Sequence, residues 1–110
     1  MRQLVVDQLS REEWQNLDHR PRRQLRPGPL AGIYWLELPH ALWGEAQRGH
    51  EQCAPFNFAL ELTAKRLVCE LLIRGSGRLH CSCACYAEPA QREYLLNFCD
   101  QMLAEEQIRA

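Results

Sequence analysis

The residues with the most chemistry available are six cysteines and four histidines in a chain of 110 residues. Thiolates and imidazoles are preferred ligands of zinc, and a thiol beside a base can act as a nucleophile. His50 and Cys53 form an H-x-x-C pair directly after Gly49, and Cys81, Cys83 and Cys85 form a C-x-C-x-C run. A ligand pair from a loop combined with a second pair from a hairpin is how many structural zinc sites are assembled. The candidate metal ligands are therefore His50, Cys53, Cys81 and Cys83, with His80 as a further donor and zinc in a structural role as the implied cofactor. In a regular strand the thiols of Cys81, Cys83 and Cys85 would share one face at roughly 6.8 Å intervals, whereas two sulfurs on one zinc lie under ~4 Å apart. A flat strand therefore cannot bring all three to one ion. The competing account makes these cysteines small apolar side chains beneath the final helix, where Cys99 meets them, because free cysteine is among the most buried residue types.

Other reactive constellations are missing or misplaced. A thioredoxin-like redox site needs C-x-x-C at a helix N-terminus, and the chain has no C-x-x-C. His80 adjoins Cys81, but neighbouring strand residues point to opposite faces, so the pair is no dyad. Glu37, Glu61 and Glu70 fall on the solvent side of alternating strands, and Gly75-Ser76-Gly77 lacks the following helix that a phosphate cradle requires. The leading reading calls for no cofactor, zinc or iron being the ion of the metal alternative, and the chain reads as non-enzymatic.

Thirteen basic against fourteen acidic residues give a net charge of −1, which argues against a nucleic-acid domain. The local exception is Arg20, Arg22, Arg23 and Arg26 in a Pro-rich stretch, an irregular connection at about residues 21–30. These guanidinium groups are a third candidate site, for phosphate or nucleic acid, whose binding would weaken steeply with salt. No aromatic side chains interleave with them to stack bases. No apolar run approaches the ~18 residues of a membrane span, and the opening Met1–Asp7 has no signal-peptide core, so a cytoplasmic protein with reduced thiols and no membrane contact is expected.

These residues must be held by a small set of elements. Gln3–Val6 reads as a short strand. Ser10 and Glu13 form a capping box, with Leu9 and Trp14 as a hydrophobic staple, so a short helix starts there and ends near Arg20, before Pro21. Residues 32–38 have strand chemistry, and 39–48 is expected to form a brief helix. Phe56, Phe58, Leu60 and Leu62 alternate with polar or small residues, as do Leu67, Cys69, Leu71 and Ile73, and then Leu79, Cys81, Cys83 and Cys85. Three strands joined by short turns make an antiparallel meander from Phe56 to Tyr86. From Pro89 to Glu106 the apolar residues Leu95, Leu96, Phe98, Cys99, Met102 and Leu103 form one helical stripe.

The fold expected is α+β: one domain over residues 1–110, with an antiparallel sheet of four to five strands. The sheet includes the C-terminal meander and packs against a C-terminal amphipathic helix, with a short N-terminal helix beside it. The strand bearing Tyr34 and Trp35 has large side chains on both faces. One of them is expected to meet a protein partner or a second copy of the chain, unless the first helix covers it through Trp14 and Leu17. The leading functional expectation is thus a small interaction or accessory protein, and the alternative is a structural zinc module at His50, Cys53, Cys81 and Cys83.

Overall fold

The computed structural model describes residues 2–19, 22–76 and 83–109. The protein is α+β, an antiparallel sheet with a helix at the C-terminal end. Among the described residues the sheet has seven strands, β1 (Gln3–Val6), β2 (Leu25–Pro27), β3 (Ile33–Glu37), β4 (Phe56–Thr63), β5 (Arg66–Glu70), β6 (Leu72–Gly75) and β7 (Cys85–Tyr86). Five run in the order β1-β5-β4-β3-β2, and β6 pairs with both β4 and β7.

β4 organises the sheet because its alternation is strict. Phe56, Phe58, Leu60 and Leu62 are all buried on one face, while Glu61 and Thr63 are exposed. Each fully buried large side chain contributes about 1.5–3 kcal/mol of apolar burial, enough to set which face turns inward. The second meander strand is not continuous, and this raises the strand count above the expected four to five. Between the Leu60–Cys69 and Phe56–Gly75 pairs, four steps along β4 match six along its partner, so the strand bulges around Leu71. There the Leu71 N–H donates to the Arg2 carbonyl at 3.1 Å, and the Leu71 carbonyl accepts from Ala87 N–H at 2.9 Å. The bulge thus ties the residues flanking β1 and β7 to one point.

Two further expectations are corrected. The connection at 21–30 contains a strand, because Leu25, Arg26 and Pro27 pair with Leu36, Trp35 and Tyr34. Pro27 is tolerated there because β2 is an edge strand. The brief helix expected at 39–48 is only a single 3-10 turn at His40–Leu42 followed by turns. The third meander strand is confined to β7 among the described residues, with Cys83 in a turn before it.

The helices form as their caps dictate. In α1 (Arg11–His19) the Ser10 N–H donates to Glu13 Oε1 at 2.8 Å and the Glu13 N–H donates to Ser10 Oγ at 3.1 Å. In α2 (Pro89–Glu105) Glu88 and Gln91 make the same reciprocal arrangement, with Pro89 in the first turn. α2 buries Leu95, Cys99, Met102 and Leu103, but Leu96 is 43% exposed, so the buried stripe is narrower than the sequence implies. Cys99 meets Cys69 of β5, their sulfurs 3.4 Å apart. The Cys99 hydrogen bond and burial push the Cys69 thiol upward, so Cys69 is inert core.

Tyr34 joins α1 to the sheet, its hydroxyl donating to Asp18 Oδ1 at 2.6 Å. That bond, then burial and the Asp18 charge, push the phenol up from 10.0 to about 12. A raised folded-state value means that the stabilisation is complete below the unfolded value and is lost as pH rises through the folded one. Denaturant unfolding should therefore show stability falling between pH 10 and pH 12, and Tyr34→Phe should remove part of that slope. The same change should cost about 1 kcal/mol at neutral pH, reflecting a partly solvated hydrogen bond. An unchanged slope in Tyr34→Phe would show that this bond does not form.

Candidate metal centre

The loop between β3 and β4 is built around two anchors, buried Leu38 and half-buried Trp43. Leu38 donates its N–H to the Phe56 carbonyl at 2.8 Å, and the Trp43 ring meets Phe56 edge-on with centroids 4.9 Å apart. After a turn closed by Arg48 N–H to the Gly44 carbonyl at 3.0 Å, the chain passes Gly49 at φ +83°, a conformation that glycine adopts without penalty. A second 3-10 turn, Glu51–Cys53, follows. Its first hydrogen bond runs from Cys53 N–H to the His50 carbonyl at 2.8 Å. Side chains three residues apart eclipse in a 3-10 turn, so the H-x-x-C spacing places His50 and Cys53 on one side of the loop.

Two contacts fix this turn against the sheet. Ser76 N–H donates to the Cys53 carbonyl at 2.7 Å. Gly75 lets the strand approach closely, since a Cβ there would lie 2.9 Å from the Cys53 carbonyl oxygen and 3.1 Å from Cys53 Cβ. On the opposite side Cys83 is buried, and its carbonyl accepts a hydrogen bond from Gln47 Nε2 at 3.4 Å.

Gln47 and Gln91 are fully buried polar side chains that the sequence reading did not single out. Gln47 Oε1 accepts from Gly44 N–H at 2.9 Å and from Gln91 Nε2 at 3.0 Å, and Gln91 Nε2 also donates to the Leu42 carbonyl at 2.9 Å. Gln47 Nε2 lies 3.8 Å from Cys85 Sγ as well. The two amides tie the loop, the 83–85 segment and the first turn of α2 together with most of their hydrogen-bonding groups satisfied. The one local signal was Gln91, three residues after Glu88, at the capping-box position.

The result is that His50, Cys53 and Cys83 converge, one ligand atom from each lying within 4.8 Å of the others. Ligand atoms on one tetrahedral zinc are about 3.5–3.8 Å apart, so closure needs a contraction of about 1 Å at most. Cys53 and Cys83 are buried and His50 is half-buried. Two thiolates with a neutral imidazole would balance the charge of a divalent ion, and sulfur with nitrogen favours zinc over magnesium or calcium. Cys81, the fourth ligand expected from sequence, lies outside the described residues, as do His80 and Arg20.

The structure does not bring the other sequence candidates together. Tyr34 faces the core side of the sheet under α1, whereas Trp35 faces the opposite side with Ile33 and Val68, so they form no common surface. Arg22 is tucked against α2, paired with Glu106 at 3.0 Å and Glu105 at 3.6 Å. Arg26 lies on the Trp35 side, donating to Asn57 Oδ1 at 2.7 Å, and Arg23 is exposed in the turn before β2. Among the described residues no helix is long and apolar enough to cross a membrane. The molecule is thus defined as a cysteine-rich α+β protein with a candidate His/Cys/Cys metal centre at the junction of a loop and a sheet. Compared with known proteins, the chain matches no family model, no curated protein and no solved structure.

Proposed function

We propose that this protein is a small non-enzymatic accessory module of the cytoplasm in which zinc ties the 44–53 loop to the segment around Cys83. The observation that carries this reading is the convergence of the His50/Cys53 pair with Cys83, thirty residues further along the chain, within 4.8 Å. In this reading Cys81, the further ligand expected from the C-x-C spacing to Cys83, would make a closed four-ligand site. A closed site leaves no coordination position for substrate, which is the structural rather than the catalytic arrangement. Reduced thiols as ligands fit a reducing compartment. Gln47, bonded to the Cys83 carbonyl, serves as the positioning residue that holds the turn carrying this ligand toward the loop.

The test is the mass of the protein, purified without chelator, under native and denaturing conditions, together with cobalt substitution. One zinc per chain is expected, lost on denaturation. The cobalt protein should show tetrahedral ligand-field bands, with a sulfur charge-transfer band that weakens in Cys53→Ser, Cys83→Ser and Cys81→Ser but not in Cys99→Ser. Protein that takes up neither metal, or a charge-transfer band indifferent to Cys53 and Cys83, would overturn the proposal.

A further inference from the structure

A second feature, remote from the cysteines, lies between α1, α2 and the inner face of the sheet. A cavity of about 390 Å³ opens there, within the roughly 300–1,000 Å³ span of small-molecule sites. Its walls are apolar: Leu17 of α1, Leu25 of β2, Leu60 of β4, Leu67 of β5 and Met102 of α2. Filled with water, such a space would hold about thirteen molecules at ~30 Å³ each, most of them facing aliphatic carbon that offers no hydrogen bond. Replacing poorly bonded water with an apolar body is favourable, so the walls select for a hydrocarbon chain.

The polar groups lining this space decide what the chain should carry at its end. Arg22 supplies a positive charge, but its side chain is only 7% exposed and is met by Glu106 at 3.0 Å and Glu105 at 3.6 Å. An incoming anion would face those two carboxylates as well as the guanidinium. Asp18 differs: its Oδ1 accepts the Tyr34 hydroxyl at 2.6 Å, and Tyr34 is its hydrogen-bonding partner among the described residues. Its charge has no cation against it there, and the carboxylate has lone pairs to spare. His19 lies beside it on the cavity lining and is the one other titratable group of α1 to do so.

From this arrangement we infer that the cavity between α1, α2 and the sheet is a binding site for a small amphiphilic amine. The alkyl chain would lie among Leu17, Leu25, Leu60 and Met102, and the ammonium group would be held by Asp18 while Tyr34 orients the carboxylate. The inference is independent of zinc, because none of His50, Cys53 and Cys83 lines the cavity.

The test uses the full chain and three probes of equal length, octylamine, octanol and octanoate, in calorimetric titrations at neutral pH below their micellar concentrations. Octylamine should bind once per chain, with octanoate weaker by about ten-fold or more, the discrimination expected of one charge-assisted hydrogen bond. Asp18→Asn should weaken octylamine by a similar factor, remove the preference over octanoate and leave octanol unchanged. Leu25→Trp, which fills the space from a half-buried edge-strand position, should abolish binding of all three, with circular dichroism showing that the variant remains folded. Equal binding of octylamine and octanoate to the unaltered chain, no saturable binding of octylamine, or undiminished binding in folded Leu25→Trp would overturn the inference. The outcome should be the same with and without chelator, so failure here leaves the zinc reading standing, and the reverse.

Discussion

Chelation of zinc should lower the thermal midpoint of this protein by about 15 °C. The magnitude follows from linkage: an ion that binds only the folded state at ~1,000 times its dissociation constant stabilises by about 4 kcal/mol, and each kcal/mol moves the midpoint of a domain this size by about 4 °C. The metal-free chain should remain folded, because the core of Phe56, Phe58, Leu60, Leu36, Ile73 and Leu95 is complete without the ion. In this it differs from a zinc finger, whose fold depends on the metal. Cys53→Ser should lose the zinc-dependent increment entirely, and in chelator should differ from the unaltered chain only by the roughly 1–3 kcal/mol of burying a hydroxyl in place of a thiol. His50→Ala should behave alike with a smaller penalty in chelator, since the imidazole is half-buried. Because each ligand must lose its proton to bind, the increment should shrink as pH falls. Equal midpoints with and without zinc, measured by calorimetry, would show that the three side chains are only neighbours in the core.

Phe56→Ala carries the second large effect. Phe56 is fully buried, stands opposite Gly75 in the β4–β6 pairing and supports Trp43 edge-on at 4.9 Å. Removing the ring should cost about 3–5 kcal/mol, the transfer of the lost atoms plus the cavity left behind. Its position gives it a further consequence. The ring lies beneath the strand and loop that hold Cys53, since a Cβ at Gly75 would meet both the Phe56 ring at 3.3 Å and Cys53 Cβ at 3.1 Å. Loosening that contact should weaken zinc binding. Phe58→Ala, opposite Leu36, should cost a comparable amount with zinc affinity retained. Urea unfolding of both variants, with and without zinc, separates the two effects, and equal zinc affinities would show that the Phe56 ring does not support the site.

The elements read most securely from sequence are those whose determinants are local. α1 was marked by Ser10 and Glu13 three residues apart, α2 by Pro89 and its apolar stripe, and β4 by four alternating apolar side chains. Caps and periodicity act over one or two turns of chain, so the residues concerned are all in view together. β2 was missed because three residues beside prolines carry almost no pattern of their own and become a strand only by pairing with β3. The bulge at Leu71 was invisible for a related reason: the apolar alternation runs on through it, and only the lengths of the two strands laid side by side require the extra residues.

The candidate site divides in the same way. That His50 and Cys53 share one side of a loop follows from their spacing and from Gly49 before them, so local chemistry was enough to select them. That Cys83 faces them, while Cys99 faces Cys69, depends on which strand lies beside which and on two buried glutamines, of which Gln91 is marked only as a capping-box residue and Gln47 by no pattern. The arginines Arg22 and Arg26 are four residues apart in the chain, yet one is paired beneath α2 and the other lies on the far side of the sheet. Residue types and short spacings thus determine the available chemistry and the helices and strands that carry it. Which of those residues meet is decided by the tertiary structure, because long-range contacts form only when burial of the β4 face and the α2 stripe against each other fixes the strand order.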